Sequence, residues 1–230
     1  MKLHEIVDTQ FRDTPVDVDV DDDSNSNNDL IGAGYYSRVH QPRDNPHEVH
    51  KTTKARFKYD TGATVPIDDS VDPYYDWVKA IAPYAKSNPY LPRVYVADSK
   101  SLRRTGELKP HYQLEKLFDH KAISSSVLYV LYYKEMANHD KADAYIETME
   151  KQIDNNLISP EHAMSDLWLQ IIKCIKYNVR KDPQIQQALD IVTQLIVDRG
   201  YADDMHSGNF MIRLTSIGPQ IVITDPLLTL

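Results

Sequence analysis

Asp204-Met205-His206-Ser207-Gly208-Asn209 follows a long helix-periodic stretch and runs directly into Phe210-Met211-Ile212-Arg213, a strand-like segment. Asp204 and Asn209 are five residues apart, so a compact loop puts a carboxylate and an amide on one side. A carboxylate there can orient a hydroxyl nucleophile and accept its proton, and an amide oxygen can ligate Mg²⁺. His206, two residues after the acid, comes within reach of a transferring phosphate. Further on, the apolar run Ile221-Val222-Ile223-Thr224 ends at Asp225-Pro226. If 210–224 is a hairpin turning at Ser216 to Pro219, Asp225 returns to Asn209 and the two flank one metal ion. Each piece also has a local reading: Asp204 capping the amides of Ser207 or Gly208, and Asp-Pro as a plain turn.

Upstream, Gly32-x-Gly34-x-x-Ser37-x-Val39 lies between the strand-like pieces Leu30-Ile31 and Ser37 to His40. Two glycines let backbone amides approach phosphates, with the small Ser37 at a third position. The setting between two strands argues against a dinucleotide-binding turn and for a phosphate-covering hairpin. Lys51 ends the next strand, Val49-His50-Lys51, from which it can reach α- and β-phosphates; Lys54 is the fallback and a plain surface lysine the local alternative. Asp72-Pro73 signals a helix over 73–82, with Tyr74, Trp77, Val78 and Ile81 on one face. Strand-like runs follow at Arg93 to Val96 and Tyr112 to Leu117. Helical periodicity then dominates 122–135, 142–153, 160–178 and 183–198, closed by Gly200.

Gly-rich hairpin, strand lysine, Asp-x₄-Asn loop and late Asp occur in the order of the protein-kinase signature. The motifs Asp204 to Asn209 and Ile223-Thr224-Asp225-Pro226, together with Gly32 to Val39 and Pro92-Arg93-Val94-Tyr95, resemble the early-gene serine/threonine protein kinases of short-tailed lytic bacteriophages over roughly residues 30–230. The Asp-x-His-x-Gly-Asn string also resembles aminoglycoside and choline kinases. The resemblance implies an α+β, bilobal kinase-like fold: an acidic segment 1–29, a strand-rich N-lobe 30–118, and a reduced, mostly helical C-lobe 119–230. It implies ATP and Mg²⁺ as cofactors, Asp204 as catalytic base, His206 steadying the γ-phosphate, and Asn209 and Asp225 holding Mg²⁺. Gly32, Gly34, Ser37, Val39 and Lys51 would hold the phosphates, and Glu115 to Leu117 would offer backbone groups to adenine. It implies host proteins of transcription and RNA metabolism as substrates. The chain departs from the pattern at Pro226 and Leu227, which stand where Phe and Gly are usual, and no activation segment precedes Leu230. The 73–82 helix offers Asp76 rather than Glu to Lys51. Two alternatives stay open: a non-catalytic kinase-like factor that inhibits a host enzyme by binding, and a small-molecule kinase whose pocket is lined by Asp140, Asp143, Glu147 and Glu150. The latter four also read as a solvated helix face.

Composition narrows the rest. Residues 1–29 carry seven of the eight net negative charges, so the body is nearly neutral and has no basic stripe for direct nucleic-acid binding. The stretch 13–29 reads as a solvated tail, with Val16, Val18 and Val20 leaving room for an edge strand. No apolar run approaches the ~18 residues of a membrane helix, and no apolar signal region follows Met1, which predicts a cytoplasmic chain without membrane contact. Cys174, the single cysteine, reads as a buried thiol. His47 and His50 are three apart without a cysteine cluster, which argues against structural zinc.

Overall fold

The computed structural model describes residues 28–33, 37–53, 56–58, 64–66, 73–101 and 108–228. Gly34, Lys54, Asp72 and the acidic stretch up to residue 27 lie outside the described residues, as does the side chain of Ser37. The fold is mixed α and β, with a five-stranded antiparallel sheet and five helices among the described residues. It divides into two compact units, Met1–Ala82 with Arg93–Lys116, and Pro83–Pro92 with Leu117–Leu230.

The first unit is built on β1 (Asn28–Ala33), β2 (Ser37–Pro42), β3 (Glu48–Thr53), β6 (Val94–Ser101) and β7 (Leu108–Glu115), in the order β1-β2-β3-β7-β6. A small hairpin, β4 (Arg56–Lys58) with β5 (Thr64–Pro66), and helix α1 (Pro73–Ile81) lie in sequence between β3 and β6. Strand β1 begins at Asn28, two residues inside the stretch expected as tail. There Asp29 meets Arg43 at 2.9 Å on the surface. Strand β7 stops at Glu115, short of the expected Leu117. The alternation of β3 and β7 puts Val49, Tyr112 and Leu114 on one buried face. Helix α1 contributes Tyr74, Trp77, Val78 and Ile81 to the same core, its Tyr74 ring edge-on to Tyr112 at 4.9 Å.

The second unit is helical with late strands. Helix α2 (Ser125–Glu135) follows a short 3₁₀ turn at 120–122, which replaces the first turn of the expected helix. Helix α3 (His139–Asp154) starts where Asn138 caps the Lys141 amide, earlier than its apolar pattern indicated. Helix α4 (Pro160–Lys176) begins with Ser159 as cap and Pro160 in the first turn. Helix α5 (Pro183–Arg199) begins the same way with Asp182, and ends at Gly200, whose φ of 71° is the left-handed conformation glycine adopts freely. Strands β9 (Phe210–Thr215) and β10 (Gly218–Ile223) form the expected hairpin, with a two-residue connection at Ser216 and Ile217. Leu131, Leu167, Ile171, Ile175, Phe210, Ile212 and Ile221 are fully buried in this unit. Cys174 is buried and free, and burial pushes its thiol up to about 11.

Two short strands escape the periodicity: β8 (Ala202–Asp203) and β11 (Leu227–Leu228), paired antiparallel with Asp203 opposite Leu227. The segment 83–92 belongs to this unit although it lies in sequence between α1 and β6. Arg213 donates to the carbonyls of Pro89 and Leu91, both at 2.8 Å, and the Ile223 N–H donates to that of Tyr90. Among the described residues, no helix is long and apolar enough to cross a membrane.

Candidate functional site

The loop from Asp203 to Asn209 is held on one side by backbone bonds to the end of the hairpin. The Asp204 N–H donates to the Pro226 carbonyl at 2.8 Å, and the Thr224 N–H donates to the Asn209 carbonyl at 2.9 Å. Asp225 sits between these two anchors. Its neighbours are therefore tied to both ends of the Asp204–Asn209 segment, so hairpin closure brings Asp204, Asn209 and Asp225 together in one unit. The β8–β11 pairing places Asp203 opposite Leu227 and extends the same strap.

Inside the loop each polar group has a defined task. The Asn209 Nδ2 amide donates to the Asp204 carbonyl at 2.7 Å and to Asp204 Oδ2 at 2.9 Å. The amide nitrogen is thus engaged, and the atom this side chain could offer a cation is its carbonyl oxygen. Asp204 keeps Oδ1 on its other side, and its side chain is 30% exposed. Capping of the loop amides, one local reading of Asp204, falls to its neighbours: Asp203 Oδ1 accepts the Met205 N–H at 2.7 Å, and His206 Nδ1 accepts the Gly208 N–H at 3.0 Å. Because Nδ1 accepts, a neutral His206 carries its proton on Nε2. That atom stands 3.7 Å from Asp204 Oδ1, too far for a hydrogen bond. His206 is 61% exposed, open to an incoming group.

Helix α4 holds the loop from the other side. The Trp168 indole N–H donates to the Ser207 carbonyl at 3.2 Å, and the Lys176 ammonium donates to the Met205 carbonyl at 3.2 Å and lies 3.5 Å from Asp203 Oδ2. The His120 ring stacks flat on Trp168, with centroids 5.0 Å apart and planes 7° from parallel. His120 Nδ1 stands 3.1 Å from Asp119 Oδ1, and its proximity holds the Asp119 carboxyl below the usual carboxylate range. Trp168, Lys176 and His120 carry no motif in the sequence. The contacts that join them to the loop and to each other span 27 to 48 positions and show only in three dimensions.

In the first unit, β1 and β2 pair with Gly32 opposite Val39, next to an irregularity between Leu30 and Gly32. Lys51 lies on β3 opposite Val39 on one side and Tyr112 on the other, on the buried face that packs against α1. Its ammonium sits 3.2 Å from the centroid of the Tyr74 ring, a cation–π contact. Lys51 is half-buried, not an outward-facing surface lysine. Glu115 is buried, and its carboxylate accepts the Arg93 N–H at 2.8 Å. The Glu115 N–H donates to the Arg93 carbonyl and the Lys116 N–H to that of His47. In the stretch expected to meet adenine, the N–H groups of Glu115 and Lys116 are thus already engaged within the unit.

The acids Asp140, Asp143, Glu147 and Glu150 are all exposed on α3; Asp143 accepts from Tyr133, and Glu147 pairs with Lys151. Among the described residues no group of three or more His, Cys, Asp and Glu is arranged to hold a metal on its own. Mg²⁺ at phosphoryl-transfer sites takes few protein oxygens and completes its shell with phosphate oxygens and water, so a metal bound there would not need a third protein ligand. No protein-family model matches the chain. No curated protein and no solved structure matches it at a significant level.

Proposed function

We propose that the chain is an ATP- and Mg²⁺-dependent serine/threonine protein kinase of the bacteriophage early-gene type, with a bilobal kinase-like fold, acting on host proteins. The observation that carries this reading is the strap of residues 224–226 on both ends of the Asp204–Asn209 segment. It supports the convergence of base, amide and second carboxylate that the kinase signature requires. Lys51 on the third strand of its sheet agrees with the position of the signature lysine.

In this reading Asp204 receives the proton of the attacking hydroxyl through Oδ1, while Asn209 holds Oδ2 and the adjacent carbonyl still. Asn209 Oδ1 and Asp225 would hold Mg²⁺, which when bound neutralises charge on the phosphates. Gly32, Gly34, Ser37, Val39 and Lys51 would hold the nucleotide phosphates, and His206 would donate from Nε2 to the transferring group. The rival small-molecule pocket has little to draw on, since its four acids face solvent on α3.

Incubation with γ-labelled ATP, Mg²⁺ and host lysate tests the reading. Wild type should label lysate proteins, and Asp204→Ala should lower labelling by about 10³-fold while melting like wild type. A fully active Asp204→Ala protein would sink the reading, and folded wild type without transfer would favour the host-binding factor.

Gly208 offers a milder test. A Cβ at this position would stand 2.9 Å from His206 Cε1 and 3.2 Å from Nδ1. Gly208→Ala must swing the exposed imidazole aside, which alters stability by only about 0.5 kcal/mol. Transfer should fall roughly tenfold as His206 loses its place. Steady-state kinetics beside a thermal melt checks both numbers.

A further inference from the structure

The hydrogen bonds around Ser207 form a line with a direction. Trp168 is 1% exposed on α4, and its indole N–H donates to the Ser207 carbonyl. That carbonyl and the Gly208 N–H belong to the same planar peptide unit. The Gly208 N–H in turn donates to His206 Nδ1. A buried indole on α4 is thereby connected through one peptide group to the imidazole ring, whose Nε2 faces Asp204 Oδ1 at 3.7 Å. Bonds in such a chain polarise one another in the same sense. Lys176, two helical turns after Trp168 and about 12 Å further along the axis, grips the Met205 carbonyl. The two donors of α4 thus hold the carbonyls on either side of His206. His120, stacked on the indole, limits how far Trp168 can rotate.

We propose that Trp168 is a positioning residue for His206: through the Ser207–Gly208 peptide it fixes the ring's orientation and keeps its proton on Nε2, the nitrogen that faces Asp204. The proposal rests on the kinase reading only for its effect on rate. With the peptide held by Trp168, the Gly208 N–H stays aimed at Nδ1 and only the Nε2–H tautomer satisfies it. Without the indole N–H the peptide can tilt, and the exposed ring samples both tautomers.

The test is Trp168→Phe, which keeps an aromatic face for His120 and removes the N–H. Nitrogen-15 spectra of labelled protein, recorded where imidazole is neutral, report which His206 nitrogen carries the proton. Wild type should show the Nε2–H form alone. The variant should show a mixture, with kcat lowered roughly 10-fold to 100-fold and KM for ATP within about twofold. A wild-type His206 protonated on Nδ1 overturns the proposal whatever the variant does, including a variant that fails to fold. Unchanged tautomer and rate in a folded variant also overturn it, and leave the kinase reading standing. A wild type that transfers no phosphate, yet whose tautomer shifts in the variant, retains the Trp168–His206 linkage and removes the kinase reading.

Discussion

Asp225→Ala is expected to lower phosphoryl transfer by about 10³-fold or more, because a bound divalent cation contributes several kcal/mol of charge neutralisation and about 1.4 kcal/mol is a factor of ten in rate. The fold should survive. What ties residues 224–226 to the Asp204 loop is backbone: the Thr224 N–H on the Asn209 carbonyl and the Pro226 carbonyl accepting from Asp204. Neither bond uses the Asp225 carboxylate, so truncation leaves the strap in place. The effect should also differ in kind from that of Asp204→Ala. Removing the proton acceptor lowers the transfer step and spares nucleotide affinity. Removing a metal ligand weakens Mg²⁺–nucleotide binding as well, and extra Mg²⁺ should recover part of the lost rate. Rates with labelled ATP over a Mg²⁺ series, alongside nucleotide titrations, separate the two. Asp225→Ala with wild-type rate and Mg²⁺ dependence would remove Asp225 from the metal site and leave Asn209 without its partner.

The parts of the molecule legible in the sequence are those written in local chemistry. Ser159-Pro160 and Asp182-Pro183 start helices because a side-chain acceptor meets a residue that needs no N–H partner. Gly200 ends one because it adopts φ of 71° without strain. The β9–β10 hairpin follows from apolar runs flanking a turn, and Asp225 returns beside Asn209 because the hairpin closes in register. What escaped the sequence depends on distant partners. Strands β8 and β11 are two residues each, too short for any period, and exist because the strap aligns them. Asn138 moves the start of α3 forward by capping an amide ahead of the first apolar position. Trp168 and Lys176 look like one more apolar residue and one more helix lysine until the loop is seen against them. Lys51 is the mixed case. Its strand was legible, but its half-buried place over the Tyr74 ring comes from the register of β3 with β7 and the packing of α1.

Arg213 shows in the sequence only as the end of a strand-like run, and a large stability effect is expected of its side chain. Its guanidinium, 8% exposed, donates to the carbonyls of Pro89 and Leu91 across more than a hundred positions. Tyr90 between them accepts from the Ile223 N–H, and Asn88 is bonded to the Gln184 carbonyl and to Gln187. The segment 83–92 is thus fixed to its unit by polar contacts from β9, β10 and α5. Arg213→Met keeps most of the apolar stem and removes both donors. A buried carbonyl at Leu91 and a part-buried one at Pro89 then lose charged partners, at about 1–3 kcal/mol for each unsatisfied group. Because both belong to one segment that can shift to reach water, the combined loss should be about 2–4 kcal/mol rather than a simple doubling. Arg213→Lys should recover part of this, since an ammonium can serve one carbonyl but lacks the planar fork that spans two. Urea unfolding measures the loss, and amide exchange locates it: the Ile223 N–H, which donates to Tyr90, should exchange faster in Arg213→Met than in wild type. A variant within about 0.5 kcal/mol of wild type would mean the carbonyls find water at no loss, and that the contacts from β10 and α5 hold the segment without Arg213.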